Sequence, residues 1–177
     1  IFCLDIQESK NKNFVKGSVS DRKTFQKLFE LSVNKLQNNT ELCLINNAGV
    51  SVFTPSEDRT FEEFLNVSEV NLFGPIVGTT ELFKFYKKIS KKYKINAQII
   101  NISSVYGIIS PNNSIYTDTN RNNSEIYGAT KAGLIQMTKY FAARYANDNI
   151  QVNCIAPGGI LNTDLQGPEF IENYSNK

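Results

Sequence analysis

The sequence predicts an α/β fold in which helices cover both faces of a doubly wound parallel sheet, giving three layers, α/β/α. Short apolar runs of strand length alternate along the chain with longer segments that have the helical apolar period. The short runs are apolar throughout, which is typical of parallel strands that are buried on both faces. The 177 residues contain no internal repeat and no linker, so we expect residues 1–177 to form a single domain.

Five segments have the composition of strands and end at polar or turn-forming residues. Asp5 ends the first strand, Asn46-Asn47-Ala48-Gly49 forms the turn after the third, and Pro157 follows the last. Only a short segment joins the first two strands, whereas a parallel crossover normally takes about a dozen residues, so we expect a shortened connection. The predicted strands are 1–4, 14–16, 42–45, 97–102 and 150–155.

Three longer segments have the pattern of helices. In the first, Ser20-Asp21 provides a cap, and Phe25, Leu28 and Phe29 recur at the helical period. The second should bend or restart near Gly74-Pro75, because proline lacks the backbone N–H that a helix interior needs. The predicted helices are 22–36, 60–88 and 126–146, and the polar, Asn-rich segment 111–124 is predicted to be a loop.

Composition excludes several classes of function. The formal net charge is only +2, so we expect neither nucleic acid nor a membrane as a partner. The lysines between 84 and 94 are interpreted as the solvated end of a helix. The chain contains no histidine, which excludes His-dependent triads and most zinc sites, and we predict no metal site.

The three cysteines, Cys3, Cys43 and Cys154, all lie in predicted strands and form no C-x-x-C pair. We therefore expect each to be a small buried thiol. No apolar run approaches the length needed to span a membrane. A reducing cytoplasmic location fits this pattern best.

Tyr127 and Lys131 are the strongest candidates for chemistry. In the predicted helix 126–146 they are i and i+4, on one face and a turn apart. An ammonium held beside a phenol favours the phenolate, which lets the phenol exchange a proton near neutral pH. Ser103-Ser104 closes the strand 97–102, so a hydroxyl there could hold a substrate oxygen against that phenol.

The chain begins on a strand, with Ile1, and no glycine-rich turn accompanies that strand. In a doubly wound dinucleotide-binding fold the first strand is central, and the turn after it carries the phosphate-binding glycines. We therefore expect this βα unit to be missing, the observed strands to flank a gap, and the chain to be a fragment of a longer enzyme.

Five motifs occur in order: NNAG at 46–49, VNLFG at 70–74, INISS at 100–104, YGATK at 127–131 and QVNCIAPGGI at 151–160. This pattern resembles the short-chain dehydrogenase/reductase family and implies its Rossmann-like fold. The segments YGATKAGLIQMTKYFAARY, PGGILN and EFIENY, with the long insertion between the serine and tyrosine motifs, are most similar to flagellin-modification and surface-sugar oxidoreductases.

The resemblance implies a catalytic role for four residues. Tyr127 matches the acid/base and Lys131 the residue that activates it and holds the nicotinamide ribose. Ser104 matches the residue that polarises the substrate oxygen, and Asn71 the asparagine that anchors a water beside the lysine. Structural alternatives remain: Ser104 could simply cap the strand end, and Asn71 could cap a helix.

The resemblance also implies a nicotinamide cofactor. Asp5 lies where a carboxylate accepts hydrogen bonds from the adenosine ribose and repels the extra phosphate of NADP, so we predict NAD rather than NADP. Asn46 could serve strand packing as much as binding. The predicted cofactor-binding residues are Asp5, Asn47, Ala48, Gly49, Tyr127, Lys131, Pro157, Gly158 and Ile160.

The resemblance implies interconversion of a secondary alcohol and a ketone, on a small, sugar-like substrate. The alternatives are a non-catalytic nucleotide-binding scaffold and a nucleotide-sugar epimerase or dehydratase. Family members commonly form dimers or tetramers, so a homo-oligomer is expected. The loop residues that could bind a polyhydroxylated substrate, or could be ordinary surface, are Asn112, Asn113, Tyr116, Thr117, Asp118 and Arg121.

Overall fold

The computed structural model describes residues 1–116, 123–163 and 166–176, without the side chain of Asn113. Strands and helices alternate in the order that the apolar pattern predicts. The strands are β1 (Cys3–Asp5), β2 (Phe14–Lys16), β3 (Glu41–Asn46), β4 (Asn96–Ile102) and β5 (Ile150–Ile155). The helices are α1 (Arg22–Ser32), α2 (Phe61–Ser68), α3 (Gly74–Ile89), α4 (Glu125–Tyr145) and α5 (Pro168–Ser175).

All strand pairs are parallel, as predicted. β1 pairs with β2, and β3, β4 and β5 form a second sheet with β4 in the centre. Leu44 lies beside Ile99, which lies beside Val152, so the carboxyl ends of these three strands meet at one edge. This Rossmann-like arrangement gathers the turns that follow the strands on one side of the molecule.

A cavity of about 600 Å³ lies between the two sheets. Leu4 of β1 and Leu42 and Leu44 of β3 are among the residues that line it. In the described part of the chain no strand joins β1 to β3.

The apolar core lies between the β3–β5 sheet and the helices α1, α3 and α4, and it includes Phe25, Val77, Leu82 and Ile99. Strand residues that point away from this core are open to solvent. Ile45 is 56% exposed and Ile155 52%. The described helices therefore cover one face of this sheet, whereas the apolar strand pattern predicts cover on both.

The prediction of three buried thiols is wrong for Cys43, which is exposed, while Cys3 and Cys154 are partly buried. Cys43 alternates with the inward-facing Leu44 along β3 and so lies on the face that the described helices leave open. The apolar neighbours of a cysteine indicate a strand, but they do not indicate which face is covered.

The second predicted helix, 60–88, is divided rather than bent. Thr60 and Glu63 form a capping box at the start of α2. A π-helical segment, Glu69–Phe73, then separates α2 from α3, which begins at Gly74 with Pro75 in its first turn. Proline is tolerated there because the first N–H groups of a helix have no partner within it.

The connection between β1 and β2 is short, as expected. Cys3 and Phe14 are in register in a parallel pair although only residues 6–13 link the strands. The carboxylate of Asp5 accepts a hydrogen bond from the N–H of Gln7 at 2.9 Å, which turns the chain immediately after β1. The first predicted helix also ends earlier than 36, at Ser32, and continues as a 3-10 turn.

A buried polar network joins β3 and β4 to α4. Asn46 Nδ2 donates to Asn101 Oδ1 at 2.8 Å, and Asn101 Nδ2 donates to Thr138 Oγ1 at 2.9 Å. Thr138 in turn donates to the carbonyl of Leu134 at 2.7 Å. Asn46 therefore serves to fasten the strands.

We expect Asn101→Ala to lower the free energy of unfolding by about 3 kcal/mol, because it leaves the amide of Asn46 without its acceptor and removes a fully buried side chain. Asn96→Ala, at the exposed start of the same strand, should cost less than about 0.5 kcal/mol. Urea unfolding of the two variants measures the difference. Equal losses would show that the network is not what stabilises this region.

Candidate active site

The first turns of α4 place Tyr127 and Lys131 together. The hydroxyl of Ser124 accepts a hydrogen bond from the N–H of Tyr127 at 3.2 Å and caps the helix. Lys131 Nζ lies 5.6 Å from the centre of the Tyr127 ring. It also donates to the carbonyl of Ile102 at 2.9 Å, which fixes the amine at the end of β4.

Lys131 is only 4% exposed, although it carries a charge at neutral pH in its ordinary state. Burial lowers its pKa, and the neighbouring Cys154 has a smaller, opposing effect. Among the ion pairs of the described residues, Lys131 takes part in none. No carboxylate of the described residues therefore offsets its charge in an ion pair.

Ser104 directly follows the buried Ser103 at the end of β4. Its hydroxyl oxygen accepts a hydrogen bond from the N–H of Tyr106 at 3.2 Å and caps the short turn Val105–Gly107. Ser104 therefore has a structural capping role, which does not exclude a catalytic one. The O–H itself remains able to donate to a substrate oxygen, because accepting a bond does not use the proton.

Asn71 lies in the π-helical segment and is completely buried. Its side-chain amide accepts from the N–H of Val50 at 2.8 Å and donates to the carbonyl of the same residue at 2.9 Å. The second amide hydrogen points to Thr130 Oγ1 at 3.3 Å. Asn71 thus holds the backbone just after the NNAG turn against α4, and its proposed water-anchoring role stays a prediction.

Gly49 brings the NNAG turn against the same group. A Cβ atom at this position would lie 3.4 Å from Lys131 Nζ and 3.6 Å from Asn71 Oδ1. The NNAG turn therefore passes close to both the lysine amine and the asparagine amide. A glycine, which has no side chain, keeps that approach free of a further contact.

The turn after β5 is joined to the serine segment by backbone hydrogen bonds. Ser103 N donates to the carbonyl of Ile155 and Val105 N to that of Pro157, both at 2.8 Å. Pro157 therefore lies beside the segment that carries Ser104, and the cofactor-binding role of Pro157 and Gly158 stays a prediction. The side chain of Ile160 is 73% exposed.

The remaining predicted cofactor residues form a separate group. Asp5, Asn47 and Ala48 all line the cavity between the two sheets, and the Asp5 carboxylate is exposed. Tyr127, Lys131 and Ser104 do not line this cavity. The structure thus brings the predicted site residues together in two groups, with the NNAG turn contributing to both.

Two of the six loop residues bond within the protein. Asn112 Oδ1 accepts from the N–H and the hydroxyl of Ser114 at 3.0 and 2.8 Å, and the hydroxyls of Tyr116 and Tyr106 lie 3.0 Å apart. Thr117, Asp118, Arg121 and the side chain of Asn113 lie outside the described residues. The described residues contain no cluster of side chains able to hold a metal ion.

Two contributors to the site were missed. Thr130 links Asn71 to the helix and itself donates to the carbonyl of Tyr127 at 2.8 Å. Its position between Tyr127 and Lys131 in YGATK is the signal that the sequence offers. Tyr174 of α5 accepts from the N–H of Gly159 at 2.7 Å. The motif EFIENY forms most of α5, a helix that the apolar pattern does not predict.

Comparisons with known proteins identify the family. The family described as short chain dehydrogenase matches residues 4–173. The 3beta-hydroxysteroid dehydrogenase 1 of Eggerthella lenta is 36% identical over 129 residues, which cover 72% of this chain and 43% of that protein. The Post-translational flagellin modification protein A of Campylobacter coli is 34% identical over 117 residues, covering 66% of this chain and 43% of the relative.

Solved structures give the same result. A short chain dehydrogenase from Leptospira borgpetersenii with bound NAD+ has a TM-score of 0.79 and 37% identity, and the match covers 98% of this chain and 65% of that one. ElxO with NADP bound has a TM-score of 0.69 and 27% identity, covering 86% of this chain and 55% of that one.

The chain thus spans less than two thirds of the length of each of these relatives. No helix among the described residues is both long and apolar enough to cross a bilayer. The family match extends over nearly the whole chain and includes both groups of site residues. The chain therefore belongs to the short-chain dehydrogenase family.

Proposed function

We propose that the protein is an NAD(H)-dependent oxidoreductase that interconverts a secondary alcohol and a ketone. The observation that carries the proposal is the buried ammonium of Lys131, held by the Ile102 carbonyl and placed 5.6 Å from the ring of Tyr127. When bound, the nicotinamide supplies or accepts the hydride at the carbinol carbon. The protein's own groups orient the substrate and exchange its proton.

In ketone reduction, the Ser104 O–H donates to the substrate oxygen while Tyr127 delivers a proton to it; in alcohol oxidation the proton moves back to the phenol oxygen. The Lys131 ammonium stabilises the phenolate that forms when the proton leaves Tyr127. Asn71 holds Val50 in place and so shapes the wall of backbone beside Lys131.

The residues present fit a dinucleotide. Gly49 places no side chain against Lys131 Nζ. The amine uses one of its three donors on Ile102 and keeps two for ribose hydroxyls. The Asp5 carboxylate gives one oxygen to Gln7 N and keeps the other for an adenosine ribose. Asn47 and Ala48 line the cavity beside Asp5.

The proposed preference for NAD rests on the charge of Asp5. We expect Asp5→Asn to lower the NADPH dissociation constant relative to that of NADH by about tenfold or more. The reason is that the carboxylate no longer repels the 2′-phosphate of NADPH. Titration of the full-length protein with each nucleotide measures this ratio.

Glu8→Gln is the matched control for that experiment, since it removes an exposed carboxylate that lies near Asp5 in the sequence and pairs with Lys16. It should change the ratio less than about twofold. Equal shifts in the two variants would mean that Asp5 does not select the cofactor.

We propose a sugar-like substrate, in a pathway of glycan or flagellin modification. The similarity to the Campylobacter coli protein and the exposed side chains of Asn112 and Ser114 support this proposal. The test is a screen of the full-length protein with NADH against keto-sugars and against steroid ketones of similar size. If only the steroid ketones are reduced, the proposed sugar-like substrate is excluded, but the proposed oxidoreductase activity is supported.

A further inference from the structure

The peptide group of Lys131 is held from two sides by residues that flank Ser104. On one side the buried hydroxyl of Ser103 donates to the Lys131 carbonyl oxygen at 2.8 Å. On the other, a Cβ built on Gly107 would lie 2.7 Å from the carbonyl carbon of Lys131. The same Cβ would lie 2.9 Å from the N of Ala132. At Gly107 the backbone therefore packs directly against the backbone of α4, with no room for a side chain.

Ser103 is itself fixed in place. Its N–H donates to the carbonyl of Ile155 in β5 at 2.8 Å, and its side chain is almost wholly buried. Ser103 directly precedes Ser104. The hydrogen bond of its hydroxyl therefore fixes the distance between α4 and the end of β4 that carries Ser104. Gly107 limits the same distance by steric contact.

We propose that Ser103 and Gly107 are positioning residues that set how closely α4 approaches the end of β4, and thereby the reach of Tyr127 and Lys131 towards Ser104. This inference rests on the proposed function, because it assigns the two residues a part in that reaction. Neither residue touches substrate or cofactor; both act through the Lys131 peptide.

The expected effect is large because proton exchange is sensitive to small displacements. A shift of about 1 Å in a catalytic group can reduce the rate about 100-fold. Ser103→Ala removes the only side-chain bond that the described residues make to this carbonyl. Gly107→Ala pushes the helix outward, because the contact is with main chain that cannot rotate away.

Two control variants match these changes elsewhere. Ser32 is a buried serine whose hydroxyl donates to the carbonyl of Phe29 at 2.7 Å, so Ser32→Ala loses the same kind of bond in α1. Gly133 lies on α4 itself, and a Cβ there would meet only the flexible end of Leu72 at 3.3 Å. Gly133→Ala therefore tests for a general effect of alanine in this helix.

In the full-length protein we expect Ser103→Ala and Gly107→Ala to lower kcat about 10- to 100-fold with KM changed less than about threefold. Ser32→Ala and Gly133→Ala should keep kcat within about twofold, even where Ser32→Ala lowers the melting temperature as much as Ser103→Ala does. If Ser103→Ala does not fold, Gly107→Ala decides the question.

A second readout needs no turnover. NMR titration of isotopically labelled Lys131 should show a pKa lowered by burial in the wild type, and Ser103→Ala and Gly107→Ala should move it back towards the ordinary value as water reaches the amine. If the Lys131 pKa shifts in the variants but the wild-type protein shows no turnover, the proposed function is rejected, while the role of Ser103 and Gly107 in positioning α4 is supported. Variants that match their controls in both kcat and titration would overturn the inference.

Discussion

Replacing Tyr127 by phenylalanine is expected to lower kcat by a factor of about 10²–10⁴, the usual contribution of a positioned acid/base. The change removes one oxygen, and the Tyr127 phenol forms no hydrogen bond with another described residue, so folding should not suffer. The dissociation constant of NADH should stay within about threefold. Steady-state rates and fluorescence titration of the full-length protein measure both quantities.

Tyr140→Phe is the control for this prediction, because it removes a hydroxyl from an exposed tyrosine of the same helix. It should leave kcat unchanged within about twofold. Turnover by Tyr127→Phe at the rate of Tyr140→Phe would assign the proton to another group and refute the mechanism.

Replacing Lys131 by methionine should lower kcat as much as Tyr127→Phe does, because the positive charge beside Tyr127 is lost. It should also weaken NADH binding, because the donors for the ribose are lost. The folded protein itself should not be destabilised at neutral pH. Burial of the ammonium costs free energy, and methionine has a side chain of similar length without a charge to bury.

This stability effect depends on pH in a definite direction. The folded protein binds the Lys131 proton less tightly than the unfolded chain, because its pKa is lowered from 10.5. The cost is complete below the folded-state pKa and disappears as the pH rises from there through 10.5. The stability advantage of Lys131→Met should therefore shrink with increasing pH across that window.

Chemical unfolding at neutral and alkaline pH measures this trend. Lys139→Met, a change at an exposed lysine of the same helix, serves as the control and should show no comparable trend. A Lys131→Met protein that is clearly less stable than wild type at neutral pH would contradict the idea that the site stores an unfavourable buried charge.

Local periodicity was sufficient to predict most of the architecture. Apolar runs place the strands within one or two residues of their observed bounds, and the i, i+4 spacing of Tyr127 and Lys131 puts them on one helix face. These features depend on residues that are close in the sequence. For the same reason the pattern also found the short link between β1 and β2.

Features that depend on distant contacts were not predictable. The π-helical segment exists where Asn71 reaches back to the backbone of Val50, and nothing in the local pattern of 60–88 indicates that bond. The exposure of Cys43 depends on which helices cover its side of the sheet. The apolar period alone also did not identify α5, whose Tyr174 is held by Gly159.

The most direct test of the central claim compares the single variants Tyr127→Phe and Lys131→Met with the variant that carries both changes. If the buried amine acts through the phenol, the two residues work as a unit, and kcat of the double variant should be no lower than about that of the worse single variant. A double variant whose loss is the product of the two single losses would show that the residues act independently, and would contradict the account.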